Sequence, residues 1–147
     1  MNLLLDTNIL IYLAKDPSRK FLAQIIDPEN QKIFISIVSI GELKSIALQN
    51  NWGKKKWQVI NSILDEAIIV EVNEVLADTY AEIDSFSQRR NPAYLNYPFA
   101  TPRNMGKNDL WIASIAALLG LKLVTTDTDF NHLHQIFIEV ELIKPNA

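Results

Sequence analysis

Short apolar runs alternate with helix-like segments along this sequence, and this alternation restricts the possible folds more than any other feature. The first run, Leu3–Leu5, is followed at once by Asp6-Thr7-Asn8 and by apolar residues at helical spacing. A wholly apolar run of this length is typical of a strand buried on both faces. Further strands are predicted at residues 32–36, 68–70, 122–125 and 137–140. A first helix is predicted from about Asn8, a short helical turn at residues 129–134, and longer helices at residues 18–26, 38–49, 52–66, 73–87 and 108–119.

Strands that alternate with helices form parallel βαβ units, in which helices cover both faces of the sheet. We therefore predict an α/β fold with a central parallel sheet of four to five strands, in one domain spanning residues 1–147. Residues 91–106 contain three prolines and are predicted to form a loop within that domain. In open sheets of this kind, ligands bind beyond the carboxyl ends of the strands, where the strand order reverses.

Composition excludes several kinds of functional site. The 147 residues include no cysteine and two histidines, His132 and His134. Disulfides, thiolate metal sites and multi-histidine sites are therefore ruled out, and any metal must be held mainly by oxygen, as Mg²⁺, Mn²⁺ and Ca²⁺ are. The two histidines should point apart and share no metal. No apolar run is long enough to cross a membrane and no signal peptide is recognisable, so we expect a cytoplasmic protein.

Carboxylates follow the predicted strand ends. Asp6 ends the first strand, Glu42 lies about one and a half helical turns beyond the second, and Asp109 opens the helix that leads into the fourth. Asp127 and Asp129 follow the fourth strand. Each acid alone has an ordinary explanation, such as a helix cap or an Asx turn. Together they belong to one edge of a parallel sheet, where we expect them to lie close to one another.

A cluster of carboxylates needs compensation. Two carboxylates about 4 Å apart repel by about 4 kcal/mol at an effective dielectric near 20. A bound cation or a raised pKa removes this cost, and an all-oxygen donor set suits Mg²⁺ or Mn²⁺. The chemistry that uses such a cluster is phosphoryl transfer or phosphodiester hydrolysis. Asn8, Thr125 and Thr126 are predicted to support the carboxylates or orient water.

The net charge of −3 conceals two windows without acids, residues 43–64 and 85–108. Lys44 and Lys107 lie in these windows, two residues from Glu42 and Asp109, and we predict that they contact substrate phosphates. The second window also contains aromatic residues and arginines. Its aromatic rings either stack on unpaired bases or pack the loop onto its own domain or a second subunit.

Four sequence blocks resemble those of the PIN-domain nucleases, and more closely those of the VapC toxins of bacterial toxin–antitoxin pairs. The blocks are residues 4–10 (LLDTNIL), 36–43 (SIVSIGEL), 106–113 (GKNDLWIA) and 123–130 (LVTTDTDF). They occur in the order found in the family and extend over almost the whole chain. The proline-containing segment before Gly106 departs from the family pattern because it is longer than expected.

The resemblance implies an α/β/α sandwich around a parallel sheet and RNA cleavage that depends on Mg²⁺ or Mn²⁺. By position, Asp6, Glu42, Asp109 and Asp127 match the acidic quartet that binds the metal, with Asp6 and Asp109 as direct ligands. Asp129 matches a less regularly acidic position and is predicted to support the quartet. The resemblance also implies a homodimer and an antitoxin partner whose tail enters the acidic site.

The function predicted from these features is a metal-dependent endoribonuclease that acts as the toxin of a type II toxin–antitoxin pair. One alternative is an RNA-processing PIN nuclease without an antitoxin. A second alternative is a non-catalytic binding module with the same fold, against which the four intact acids argue. A short neighbouring reading frame encoding an antitoxin would favour the first.

Overall fold

Five strands form one fully parallel sheet in the order β3-β2-β1-β4-β5. The structure is a computed structural model that describes residues 1–144. The strands are β1 (Leu3–Leu5), β2 (Ile33–Ser36), β3 (Ile68–Val70), β4 (Lys122–Thr125) and β5 (Glu139–Leu142). The α-helices are α1 (Thr7–Ala14), α2 (Ile37–Gln49), α3 (Lys54–Glu66), α4 (Ala77–Ser87) and α5 (Lys107–Leu119). The predicted α/β class and the parallel sheet are confirmed.

The central strand β1 shows why the sheet carries helices on both faces. Leu4 belongs to an apolar cluster with residues of α4 and α5, whereas Leu3 and Leu5 belong to a second cluster with residues of α1 and α3. All three leucines are buried because side chains of a strand alternate between the two faces. The result is the α/β/α sandwich that the family resemblance implied.

The strand order reverses between β1 and β4. From β1 the chain continues to β2 and β3 on one side, and β4 and β5 lie on the other. The carboxyl ends of β1 and β4 are therefore neighbours, with Leu5 paired to Val124. This switch point is where the rule for open α/β sheets places a ligand site.

The helix predicted at residues 18–26 begins two residues later than predicted. Arg19 has a positive φ of 59°, which a right-handed helix cannot include. The amide of Phe21 donates to the Asp16 side chain instead of continuing a helix. The helical segment runs over residues 20–26, and its last five residues form a π-helical turn, Leu22–Ile26.

Two other elements start later than predicted. Asn73 accepts a hydrogen bond from the Val75 amide, as a cap should, but the turn that follows is a 3-10 turn and α4 begins at Ala77. The last strand begins at residue 139 rather than 137, because the amides of Phe137 and Ile138 both donate to the Leu133 carbonyl. The remaining predicted elements lie within two residues of the observed ones.

The loop at residues 91–106 packs onto its own domain. The rings of Tyr94, Tyr97 and Phe99 lie 4.7, 5.3 and 5.5 Å from the ring of Phe86 on α4. The Tyr97 hydroxyl donates to the carbonyl of Asn91. Of the alternatives open for these aromatic residues, the structure therefore shows packing within the domain.

None of the described helices combines the length and the apolar character needed to cross a membrane.

Candidate metal centre

Asp6 is placed at the switch point by β1 and is almost completely buried, at 4% exposure. Its Oδ1 accepts a hydrogen bond from the Thr7 amide at 2.8 Å and caps α1. Its Oδ2 accepts a hydrogen bond from Thr125 Oγ1 at 2.7 Å. Burial raises the pKa of Asp6, with the negative charges of Glu42 and Asp127 adding to the effect, although the two hydrogen bonds oppose it.

Glu42 is brought to the same edge by α2, which begins directly after β2. Its Oε1 accepts a hydrogen bond from Thr7 Oγ1 at 2.8 Å. Thr7 thus contacts two acids, since its amide bonds Asp6 and its hydroxyl bonds Glu42. Reasoning from the sequence did not single out Thr7. The available signal was its position immediately after Asp6, where a hydroxyl at the start of a helix lies at the strand end.

Three aspartates from two elements form the tightest acidic group. Asp109 lies in the first turn of α5, and Asp127 caps the 3-10 turn Thr128–Leu133 by accepting from the Asp129 amide at 2.9 Å. One carboxylate oxygen from each of Asp109, Asp127 and Asp129 lies within 4.8 Å of the others. Asp129, predicted to play a supporting role, is therefore as close to Asp109 and Asp127 as a ligand would be.

Asp109 is the carboxylate whose pKa is raised most within the acidic cluster, to about 7. Burial is the largest cause, and the charges of Asp6, Asp127, Glu42 and Asp129 add to it in that order. Within residues 1–144, no lysine, arginine or histidine forms an ion pair with any of these five carboxylates. The negative charge is uncompensated by the protein itself.

The donor set fits a small divalent cation. Mg²⁺ binds oxygen at about 2.0–2.1 Å in octahedral geometry, so that its ligand atoms lie up to about 4 Å apart. The spacing within 4.8 Å of the three aspartate oxygens needs little adjustment to reach this geometry. A cation would also relieve the repulsion that raises the pKa of Asp109.

The remaining predicted residues differ in what they contact. Thr125 donates to Asp6 and accepts from the Asp127 amide at 3.0 Å, so it connects two acids. Asn8 and Thr126 make no side-chain hydrogen bond with another described residue; Asn8 is exposed and Thr126 half-buried. Lys44 and Lys107 are exposed, on the same helices as Glu42 and Asp109.

The two histidines have separate partners. His132 Nε2 lies 2.8 Å from Ser87 Oγ, and His134 Nδ1 accepts from the Val140 amide at 2.9 Å. Each imidazole is therefore held by a different neighbour. Neither histidine is grouped with the three aspartates whose oxygens could hold a metal.

Comparison with known families identifies the fold. Residues 3–135 match the model of the PIN domain, a span that includes all five carboxylates. The chain belongs to the PIN domain family. No curated protein sequence matches it significantly. The similar solved structures described next are less than 25% identical to this PIN domain, so their likeness shows the fold alone.

Several similar structures contain VapBC proteins, including the three that follow. VapBC2 from Rickettsia felis, bound to a DNA fragment from its promoter, is 22% identical with a TM-score of 0.71, over 98% of this chain and 100% of that one. VapBC-1 from nontypeable Haemophilus influenzae is 23% identical with a TM-score of 0.68, over 97% and 98%. DNA-bound VapBC from Salmonella typhimurium is 19% identical with a TM-score of 0.70, over 96% and 97%.

Proposed function

We propose that this PIN domain is a divalent-metal-dependent endoribonuclease and the toxin of a type II toxin–antitoxin pair, acting in the cytoplasm as a single domain. The observation that carries the proposal is the convergence of five uncompensated carboxylates at the switch point of the sheet. A purely structural cluster of this kind would destabilise the fold. In a metal-binding cluster, the bound cation would offset the repulsion between the carboxylates.

Asp6, Glu42, Asp109 and Asp127 would hold Mg²⁺ or Mn²⁺, with Asp129 beside them. When bound, the ion would polarise the scissile phosphodiester and neutralise charge that develops on the leaving oxygen. The protein prepares this site through two hydroxyl groups: Thr7 orients Glu42, and Thr125 orients Asp6. These hydrogen bonds fix the carboxylates before metal and substrate arrive, which reduces the cost of assembling the site.

Lys44 and Lys107 would contact the substrate. A polyanion is repelled by five carboxylates unless cations surround them, and both lysines are exposed on the helices that carry Glu42 and Asp109. Neither forms an ion pair with a described acid. Their charges are therefore available to RNA phosphates.

An antitoxin partner is supported by the similarity to VapBC structures and by a groove next to the acids. An open groove of about 570 Å³ borders Glu42 and is lined in part by apolar side chains, namely Ile37, Val38 and Ile46. An antitoxin segment with aliphatic side chains would fill it, and an arginine or lysine from that segment would neutralise the carboxylates in place of the metal. We also propose that the chain forms a homodimer.

We expect purified protein to cleave RNA with Mg²⁺ or Mn²⁺ and to lose all activity in EDTA. Asp6→Asn should abolish cleavage because it removes one charge and one hard oxygen from the site. The measurement is cleavage of end-labelled RNA resolved on a denaturing gel. Asp65→Asn, which changes an exposed acid on α3, is the matched control and should cleave normally. Full activity in EDTA would contradict the metal mechanism.

The protein encoded by an adjacent short reading frame is expected to bind this chain and suppress cleavage. Because its basic side chain would occupy the acidic cluster, the complex should also bind Mn²⁺ more weakly than the free chain. Calorimetric titration and the cleavage assay measure these two effects on the same samples. A complex with undiminished cleavage and unchanged metal affinity would contradict this mode of inhibition.

A further inference from the structure

Two arginines flank or belong to the loop at residues 91–106, and packing does not explain their role. Arg89 lies two residues after the end of α4 and has a positive φ of 59°, a conformation that favours glycine. A bulky residue in a strained backbone position points to a use for its side chain. Arg103 lies near the other end of the loop and is exposed, as is Arg89.

Both guanidinium groups lie against aromatic rings. The Arg89 guanidinium is 5.3 Å from the ring centroid of Tyr97, and that of Arg103 is 5.7 Å from the ring centroid of Phe99. The two rings are themselves 5.7 Å apart, and both contact the buried ring of Phe86. The two arginines therefore lie on neighbouring rings of one aromatic base, formed by Tyr97, Phe99 and Phe86.

Hydrogen bonds connect this base to the acidic cluster. The Arg103 amide donates to the Ser87 carbonyl at 2.7 Å, and Ser87 Oγ lies 2.8 Å from His132 Nε2. His132 belongs to the 3-10 turn that Asp127 caps and that contains Asp129.

The charge of Arg103 also acts on this turn. Burial lowers the pKa of His132 to about 4, and the nearby positive charge of Arg103 contributes. The geometry agrees, because the Phe99 ring that contacts Arg103 lies 5.3 Å from the ring of His132 in this turn. The loop then continues through Gly106 directly into α5 and Asp109.

Neither arginine is neutralised by the protein. Within the described part of the chain, no carboxylate forms an ion pair with Arg89 or Arg103. Arg19 provides the contrast, because it has the same φ of 59° but its guanidinium binds Glu66 at 3.0 Å. Arg19 lines a cavity with Ile33 and Ile68, at the amino ends of β2 and β3 and away from the acids.

We propose that Arg89 and Arg103 form a binding rim for the phosphates of single-stranded RNA, which holds the strand beside the acidic cluster. This inference rests on the proposed ribonuclease function and extends its substrate contacts beyond Lys44 and Lys107. The rim recognises the backbone and not the bases, since the aromatic rings that could stack on bases pack against Phe86. Guanidinium groups suit this role because they bind phosphate oxygens in pairs.

The test measures the affinity of a fluorescent oligouridylate at several salt concentrations, in an Asp109→Asn background that prevents cleavage. Arg89→Gly and Arg103→Gln should each weaken binding by roughly three- to tenfold at low salt and reduce the salt slope by about 0.7. Arg89→Lys should retain most of the affinity because it keeps the charge. Arg19→Gly is the matched control, with the same backbone change far from the site, and should bind normally.

Thermal melting separates binding from folding. Glycine suits the left-handed backbone at position 89, so Arg89→Gly should melt no lower than Arg19→Gly while binding RNA more weakly. Unchanged RNA affinity in both Arg89→Gly and Arg103→Gln would overturn the proposal. This is also the result expected if the rim binds an acidic protein segment instead of RNA. An equal loss of affinity in Arg19→Gly would also overturn it.

A second assay distinguishes failure of the rim from failure of the ribonuclease function. The protein with Asp109 intact and the arginine variants in the same background are compared on two substrates. One is a dinucleotide, whose single internucleotide phosphate is the scissile one, and the other is the long oligonucleotide. We expect the arginine variants to cleave the dinucleotide normally and the long substrate more slowly. Normal cleavage of both substrates would overturn the rim alone. If the unaltered protein cleaves neither, the ribonuclease function fails, and the binding measurements still decide whether the rim exists.

Discussion

Asp109→Asn is expected to abolish RNA cleavage while leaving the metal-free protein at least as stable as the unaltered protein at neutral pH. Loss of a residue that merely supports a metal ligand costs about 10–100-fold in activity, so loss of a ligand should cost more. Stability should not fall, because Asp109 is repelled by four other carboxylates and its substitution removes that repulsion.

The pH dependence of stability follows from the raised pKa of Asp109, which burial and the repulsion by the other carboxylates cause together. The pKa of Asp109 is raised from 3.8 to about 7, so between these values the folded state holds a proton that the unfolded state has released. The contribution of Asp109 to the free energy of unfolding therefore falls as the pH rises from about 4 to 7. Asp109→Asn should remove this fall. Its melting profile in EDTA should be flatter across that range than those of the unaltered protein and Asp65→Asn.

A melting temperature several degrees lower for Asp109→Asn at pH 7 would contradict this account. It would mean that the carboxylate mainly stabilises the first turn of α5 through the helix dipole. The measurement is thermal unfolding followed by circular dichroism in EDTA at a series of pH values. Cleavage assays on the same preparations show whether activity and stability separate.

Thr125→Val is expected to damage both the fold and the site. Thr125 is fully buried, donates to Asp6 and accepts from the Asp127 amide, so valine leaves a buried carboxylate and a backbone N–H without these partners. An unsatisfied buried polar group costs about 1–3 kcal/mol, and loss of a group that orients a ligand costs about 10–100-fold in activity. The pKa of Asp6 should rise further, because Thr125 stabilises its charged form.

Thr126→Val is the matched control for this substitution. Thr126 is the next residue along the chain and makes no side-chain hydrogen bond with another described residue. Urea unfolding gives the free energy of unfolding for both variants, and gel assays give their activity. If the two variants behave alike, the hydrogen bonds of Thr125 do not organise the site.

Much of the fold was predictable because local patterns and the global fold agree. The apolar run of β1 predicted a strand buried on both faces, and Leu3–Leu5 are all buried in the two clusters. The helix predicted at residues 108–119 ends where expected, and Gly120, which follows it, has the left-handed φ of 64° that makes glycine a good terminator. Where local and tertiary preferences disagreed, prediction failed, as at Arg19, whose left-handed backbone breaks an otherwise helical pattern.

The candidate site was predictable in its position but not in its inner contacts. Parallel strands bring their carboxyl ends together, so the positions of Asp6 and Asp127 in the sequence were sufficient to place them at one edge. The contact of Thr7 with Glu42 depends on the angle between α1 and α2, which no sequence pattern reports. For the same reason the closeness of Asp129 to Asp109 became visible only in the structure. Which of the acids bind the metal directly stays a prediction.

The central claim, that the acidic cluster is a metal site, is tested most directly by calorimetric titration of Mn²⁺ into the EDTA-treated, dialysed protein at pH 7. The account predicts saturable binding accompanied by proton release, because the metal requires Asp109 to be ionised and its pKa is about 7 without metal. Titrations in buffers with different ionisation enthalpies measure the protons released. Asp109→Asn should lose the binding and Asp65→Asn should retain it. No binding by the unaltered protein, or equal binding by Asp109→Asn, would contradict the claim.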